Sequence, residues 1–77
     1  GIMVKTVLKV DGMSCGMCES HMNDLVRSLF QVKKVSSSAK DGETVVLSDE
    51  ILDIPYLKMK MKGIGYKLVS VESTHEA

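Results

Sequence analysis

Cys15 and Cys18 are the only cysteines of this chain, and their spacing points to metal chemistry. Two intervening residues let a turn bring both sulfurs onto one ion. Thiolates are soft ligands that select Cu(I), zinc and similarly thiophilic metals. The pair lies in Gly12-Met13-Ser14-Cys15-Gly16-Met17-Cys18, between a strand-like and a helix-like segment. Cys18 is expected at or just inside the helix N-terminus, where the dipole and free N–H groups favour a thiolate. Gly16 is expected to give the loop the freedom for two sulfurs to converge. A closed structural zinc site takes four protein ligands. Two thiolates leave zinc underligated, whereas Cu(I) is content with two sulfurs. The ligand count therefore favours Cu(I) and leaves the ion open to an incoming thiolate, which suits a site that passes metal on. His21 is the candidate third ligand. It follows Cys18 by three residues, so it lies on the same side of a helix one turn later. An imidazole there would suit zinc or three-coordinate Cu(I). The competing reading is a partly exposed polar residue that never reaches the ion.

The elements that must position these residues are legible from periodicity. Residues 3–10 predict a strand, with Val4, Leu8 and Val10 on one side and Lys5 and Lys9 on the other. Asp11-Gly12 breaks it. Residues 19–30 predict a helix, because Met22, Leu25, Val26, Leu29 and Phe30 form one apolar stripe. Residues 32–38 and 43–48 predict antiparallel strands around the turn Lys40-Asp41-Gly42-Glu43, with Ser36-Ser37-Ser38 at an edge. After a connection over 49–53, a second helix is expected from Ile54 to Lys62. Pro55 opens it, Leu57 and Met61 face the core, and Gly63 and Gly65 end it. Residues 66–71 predict the last strand and 72–77 a frayed tail. This order has a two-layer solution, a four-stranded antiparallel sheet with both helices on one face: the α+β, ferredoxin-like βαββαβ sandwich. A single domain is expected over 1–77, with its core at about 4–71.

Bulk properties narrow the function. The chain has 77 residues, 44% hydrophobic and 26% charged, an ordinary globular composition with little room for an enclosed active site. Ten basic residues balance ten acidic ones, so no net charge recruits nucleic acid or an anionic membrane. Phe30, Tyr56 and Tyr66 are the only aromatics and offer no base-stacking surface. No stretch approaches the length of a membrane span, and the start lacks the apolar run of an export signal. A cytoplasmic protein with reduced thiols is the expectation.

The segment Gly12 to Cys18 resembles the GMxCxxC motif of heavy-metal-associated domains. These include cytosolic copper chaperones of the CopZ type and N-terminal domains of copper-transporting P-type ATPases. The resemblance covers about residues 4–71 and includes the late Gly65-Tyr66-Lys67. It implies a non-enzymatic carrier that holds Cu(I) on Cys15 and Cys18. Delivery would run through shared-thiolate intermediates to a metal-binding domain or intake site of a copper-transporting P-type ATPase. A copper-responsive regulator is a second class of partner. A monomer is expected, with a copper-bridged dimer as a further state. Met13, Ser14, Gly16, Met17 and Tyr66 are expected around the sulfurs. The resemblance makes Met13 a buried plug beneath the loop and Tyr66 a shield near a cysteine, while Met17 is expected to be exposed. Lys67 could offset the negative charge of a bis-thiolate copper site.

Other readings compete. A carrier or sensor for zinc, cadmium or mercury differs in metal, not in fold, and rests on His21. A thiol–disulfide oxidoreductase also uses CxxC at a helix N-terminus. The only proline, Pro55, opens a helix, so the cis-proline that faces such sites is not evident. Met59 and Met61 alternate with lysines but point in different directions on a helix, Met61 to the core. His75 has no assigned role.

Overall fold

The structure, a computed structural model, describes residues 3–76. The alternation in the first strand is realised in β1 (Met3–Asp11), where Val4, Thr6, Leu8 and Val10 are buried. The apolar stripe places α1 at Gly16–Leu29, with Met22 and Val26 buried and Leu25, Leu29 and Phe30 packed at the rim. β2 (Lys34–Ser38) and β3 (Glu43–Ser48) form the hairpin, α2 spans Ile54–Gly63, and β4 runs Lys67–Glu76.

The four strands make one antiparallel sheet in the order β2-β3-β1-β4. The serine-rich β2 therefore lies at an edge, as its polarity predicts. β1 is central, with Val7 opposite both Val45 of β3 and Glu72 of β4. Leu8, Val46, Met22, Val26, Leu57 and Met61 fill the core between the sheet and the helices. This is the ferredoxin-like sandwich. At one end of the core, the rings of Phe30 and Tyr56 meet edge to face with centroids 6.2 Å apart, joining the end of α1 to the start of α2.

Several boundaries differ from the sequence reading: β2 starts at Lys34 rather than 32, other ends shift by a residue, and three differences bear on the site and the sheet. α1 begins at Gly16, three residues before the predicted start at 19, because its first turn is largely solvent-facing and adds nothing to the apolar stripe that opens at Met22. Gly63 is helical; Gly65 (φ +88°) ends α2. The Gly65 N–H bonds the Lys62 carbonyl and the Tyr66 N–H bonds the Met61 carbonyl, the paired bonds of a Schellman cap. The expected frayed tail is strand through Glu76, because β1 supplies pairing partners back to Met3. Only Ala77 of that tail lies outside the described residues, as do Gly1 and Ile2.

Candidate metal site

The site forms where β1 hands over to α1. Gly12 (φ +107°) turns the chain, and a Cβ there would lie 3.1 Å from the Gly65 carbonyl oxygen and 3.2 Å from the Tyr66 ring. Glycine thus serves both the turn and the close approach of the α2–β4 connection. Cys15 is the N-cap of α1, with extended backbone and no side-chain cap bond, so its thiol is left for other work. Cys18 falls in the first turn. Gly16 corrects the loop reading: it is the first helical residue, without left-handed backbone. The loop's freedom comes from Gly12 instead.

Both cysteines are free, and their Sγ atoms lie 3.0 Å apart. That is well beyond the ~2.05 Å of a disulfide and fits an S–H···S hydrogen bond, with Cys15 donating to the more acidic Cys18. This bond is the first cause holding the Cys18 thiol down at about 6; the Ser14 main chain comes next and the Tyr66 hydroxyl after it. Partial burial pushes the other way, and the Ser14 hydroxyl, 3.9 Å from Cys18 Sγ, adds a little. Tyr66 is buried and donates through its hydroxyl to the Cys18 carbonyl at 3.4 Å. Its hydrogen bonding to Cys18, then burial, push its own ionisation up to about 12, so it remains a donor.

Metal–thiolate bonds of ~2.3 Å, the zinc value, would hold two sulfurs of one tetrahedral ion roughly 3.8 Å apart. To hold such an ion, one thiol would have to rotate outward from the 3.0 Å separation. Cys15 is exposed and has the room, whereas Cys18 is partly covered.

Met13 is buried beneath the loop at 6% exposure, its Sδ within 3.9 Å of Thr44 Oγ1 on β3. Met17, between the cysteines, is 68% exposed. His21 is not brought to the pair. It is exposed on α1 and faces a shallow hollow shared with Leu25 and Ile64. Among the described residues, no group of three or more His, Cys, Asp or Glu is placed to hold an ion. Met61 is core and Met59 is exposed, so the two methionines do not converge.

The sequence reading missed how α1 is anchored. Glu19, beside Cys18, accepts the Ala39 N–H at 2.6 Å. Asn23 accepts from Ser37 at 2.6 Å, and Ser37 contacts Thr44 at 2.7 Å. These bonds tie the cysteine-bearing turns to the β2–β3 hairpin. No local pattern reveals them, because the partners are distant in sequence.

Solved structures with the same architecture share this arrangement of elements. The chain is similar to the CopZ metallochaperone, with 26% identity, a TM-score of 0.72, and coverage of 84% of this chain and 98% of that one. It is similar to the N-terminal domain of ZntA in its Zn(II) form, at 26% identity and TM-score 0.74, covering 86% and 89%. It is also similar to the yeast copper transporter domain Ccc2a, solved in apo and Cu(I)-loaded states, at 26% identity and TM-score 0.70, covering 83% and 89%. No family model matches the chain, and no curated protein matches it. Fold and thiol loop together define a small metal-binding domain. In its βαββαβ sandwich and its Gly12–Cys18 motif, the chain is similar to metallochaperone and heavy-metal-binding domains of this kind.

Proposed function

We propose that this domain carries Cu(I) on Cys15 and Cys18 and delivers it to a partner's thiolate pair, that of a copper-transporting P-type ATPase first among the candidates. The reading rests on one observation: two free sulfurs stand 3.0 Å apart at an exposed helix N-terminus. Two soft ligands satisfy Cu(I) and leave the ion accessible. Transfer then needs no redox step. An incoming thiolate binds the ion, one of the two cysteines leaves, and a second exchange completes the handover with copper still Cu(I). A proton shed by an incoming thiol goes to the departing thiolate. Cys18 serves as the anchoring ligand, since Tyr66 and Ser14 stabilise its charge. Cys15, the exposed N-cap, is the sulfur that swings toward the partner. Met13 packs and does not ligate. The likeness to CopZ and to the yeast copper transporter domain supports copper. The reading extends to a cytoplasmic, non-enzymatic single domain, monomeric when free of metal. No helix among the described residues is long and apolar enough to cross a membrane.

The test is titration of the reduced protein with Cu(I) against a strong chelator. It should hold about one copper per chain, and Cys15→Ala should abolish that retention. Unchanged retention in the variant would overturn the reading. The likeness to ZntA in its Zn(II) form keeps a zinc carrier as the second reading. Zn(II) competition in wild type and His21→Ala decides it: a zinc affinity that exceeds that for Cu(I), or collapses in the variant, would favour zinc.

A further inference from the structure

Behind the metal loop, between α2 and the outer side of β4, runs an open groove of about 860 Å³. Its apolar lining comes from Pro55, Met59, Tyr66 and Leu68, and Met59 is 58% exposed. Lys58, Lys62 and Lys67 also line it, against one acid, Asp11. Three lysines less one aspartate leave an excess of two positive charges in a chain whose formal net charge is +0. Charge is therefore concentrated here. Along the same side runs the outer edge of β4. Among the described residues β4 pairs only with β1, so its outward main-chain N–H and C=O groups have no strand partner. An unpaired strand edge is a template for an added strand.

We infer that this groove docks an extended acidic segment of a partner protein, which adds to the outer edge of β4 as a further strand. Main-chain hydrogen bonds to β4 would supply the affinity. On the face toward α2, apolar side chains of the segment meet Met59 and Pro55 and its carboxylates meet Lys58 and Lys62; on the opposite face a carboxylate meets Lys67, which alternates with the buried Leu68. A second copy of this chain fits less well, because its own β4 would bring another Lys67 to the same edge. The docked segment also reaches the metal loop. Tyr66 lines the groove, and its hydroxyl bonds the Cys18 carbonyl. The inference stands apart from the copper reading, since neither cysteine lines the groove.

The probe is a short synthetic peptide in which glutamates and valines alternate in pairs, so that each face of the strand carries both. It is titrated into the metal-free, reduced chain and followed by amide NMR shifts. Shifts should centre on Lys58 to Lys62 and on Lys67 to Val71. Affinity should fall with added salt and fall about tenfold or more in the double variant Lys58→Glu, Lys62→Glu. Both lysines are exposed, so the variant keeps its fold, which the same spectra check. Absence of binding, equal binding of a peptide with lysine for glutamate, or shifts centred on α1 would each overturn the proposal. Self-association that the peptide does not displace would overturn it in favour of a second copy.

Discussion

Replacing Cys15 by alanine should do more than remove a ligand: it should raise the ionisation of Cys18. The Cys15 thiol is the first cause holding Cys18 at about 6. At pH 7 a thiol of pKa about 6 is roughly 90% thiolate, whereas one at the ordinary ~8.5 is roughly 3%. Full reversion would lower the reactive fraction about thirtyfold. Intrinsic nucleophilicity moves the other way, by roughly 0.4–0.5 log unit per pKa unit, or about tenfold over this interval. The two nearly cancel, so an alkylation rate at pH 7 alone would change only about two- to threefold. The midpoint of the pH–rate profile is the sharper measurement. Alkylation of Cys18, followed site by site by mass spectrometry across the pH range, should show a midpoint near 6 in the wild type. In Cys15→Ala it should move upward toward the ordinary thiol range. Tyr66→Phe should move it upward by less, since that hydroxyl ranks behind Cys15 and the Ser14 main chain. A midpoint still near 6 in Cys15→Ala would refute the reasoning and assign the shift to the helix N-terminus.

The same ionisation governs proton release. Below about pH 6 Cys18 arrives protonated and above it as thiolate, so protons released per bound metal should fall by about one as pH rises through 6; calorimetry in buffers of different ionisation heat checks this, and constant release would contradict it. Thr6 is fully buried with no partner for its hydroxyl, so Thr6→Val should stabilise the fold by about 1 kcal/mol in urea unfolding; destabilisation would reveal an unseen partner. Gly12→Ala should cost about 1–3 kcal/mol, because it adds left-handed strain to contacts at 3.1 and 3.2 Å. Gly16→Ala, helical with open space at the Cβ position, should instead be neutral or stabilising by up to about 1 kcal/mol in the same thermal or urea unfolding.

The sheet and the helices were legible where burial imposes a period: Val4, Leu8 and Val10 in β1, Met22 and Val26 in α1, Leu57 and Met61 in α2. The C-terminal half of β4 was not. Glu72, Ser73 and Thr74 are exposed, so no apolar alternation reports a strand that exists because β1 offers it partners. The start of α1 was hidden for a similar reason, since Gly16 and Met17 contribute nothing to the buried stripe. At the site, the cysteine pair followed from type and spacing, and the burial of Met13 from the resemblance to heavy-metal-associated domains. Helical spacing brought His21 one turn after Cys18 but not to the sulfurs, because its side chain faces the Ile64 side of α1. The anchors Glu19 to Ala39 and Asn23 to Ser37 are long-range pairs of ordinary polar residues. Nothing in either local stretch marks them.

The pairing of β1 with β4 has a consequence for synthesis. The cysteine loop is made early in this segment, but the residues that complete its surroundings, Gly65 and Tyr66, and the strand that closes the central sheet come last. A chain emerging from the ribosome therefore exposes both thiols before Tyr66 can bond Cys18 and before β1 has its second neighbour. The folded setting assembles only when residues far apart in sequence meet, a topology that folds slowly relative to local helices. Until then the nascent thiols lack the environment that distinguishes them from any flexible pair; on the copper-carrier proposal, specific loading would wait until the whole segment had been released.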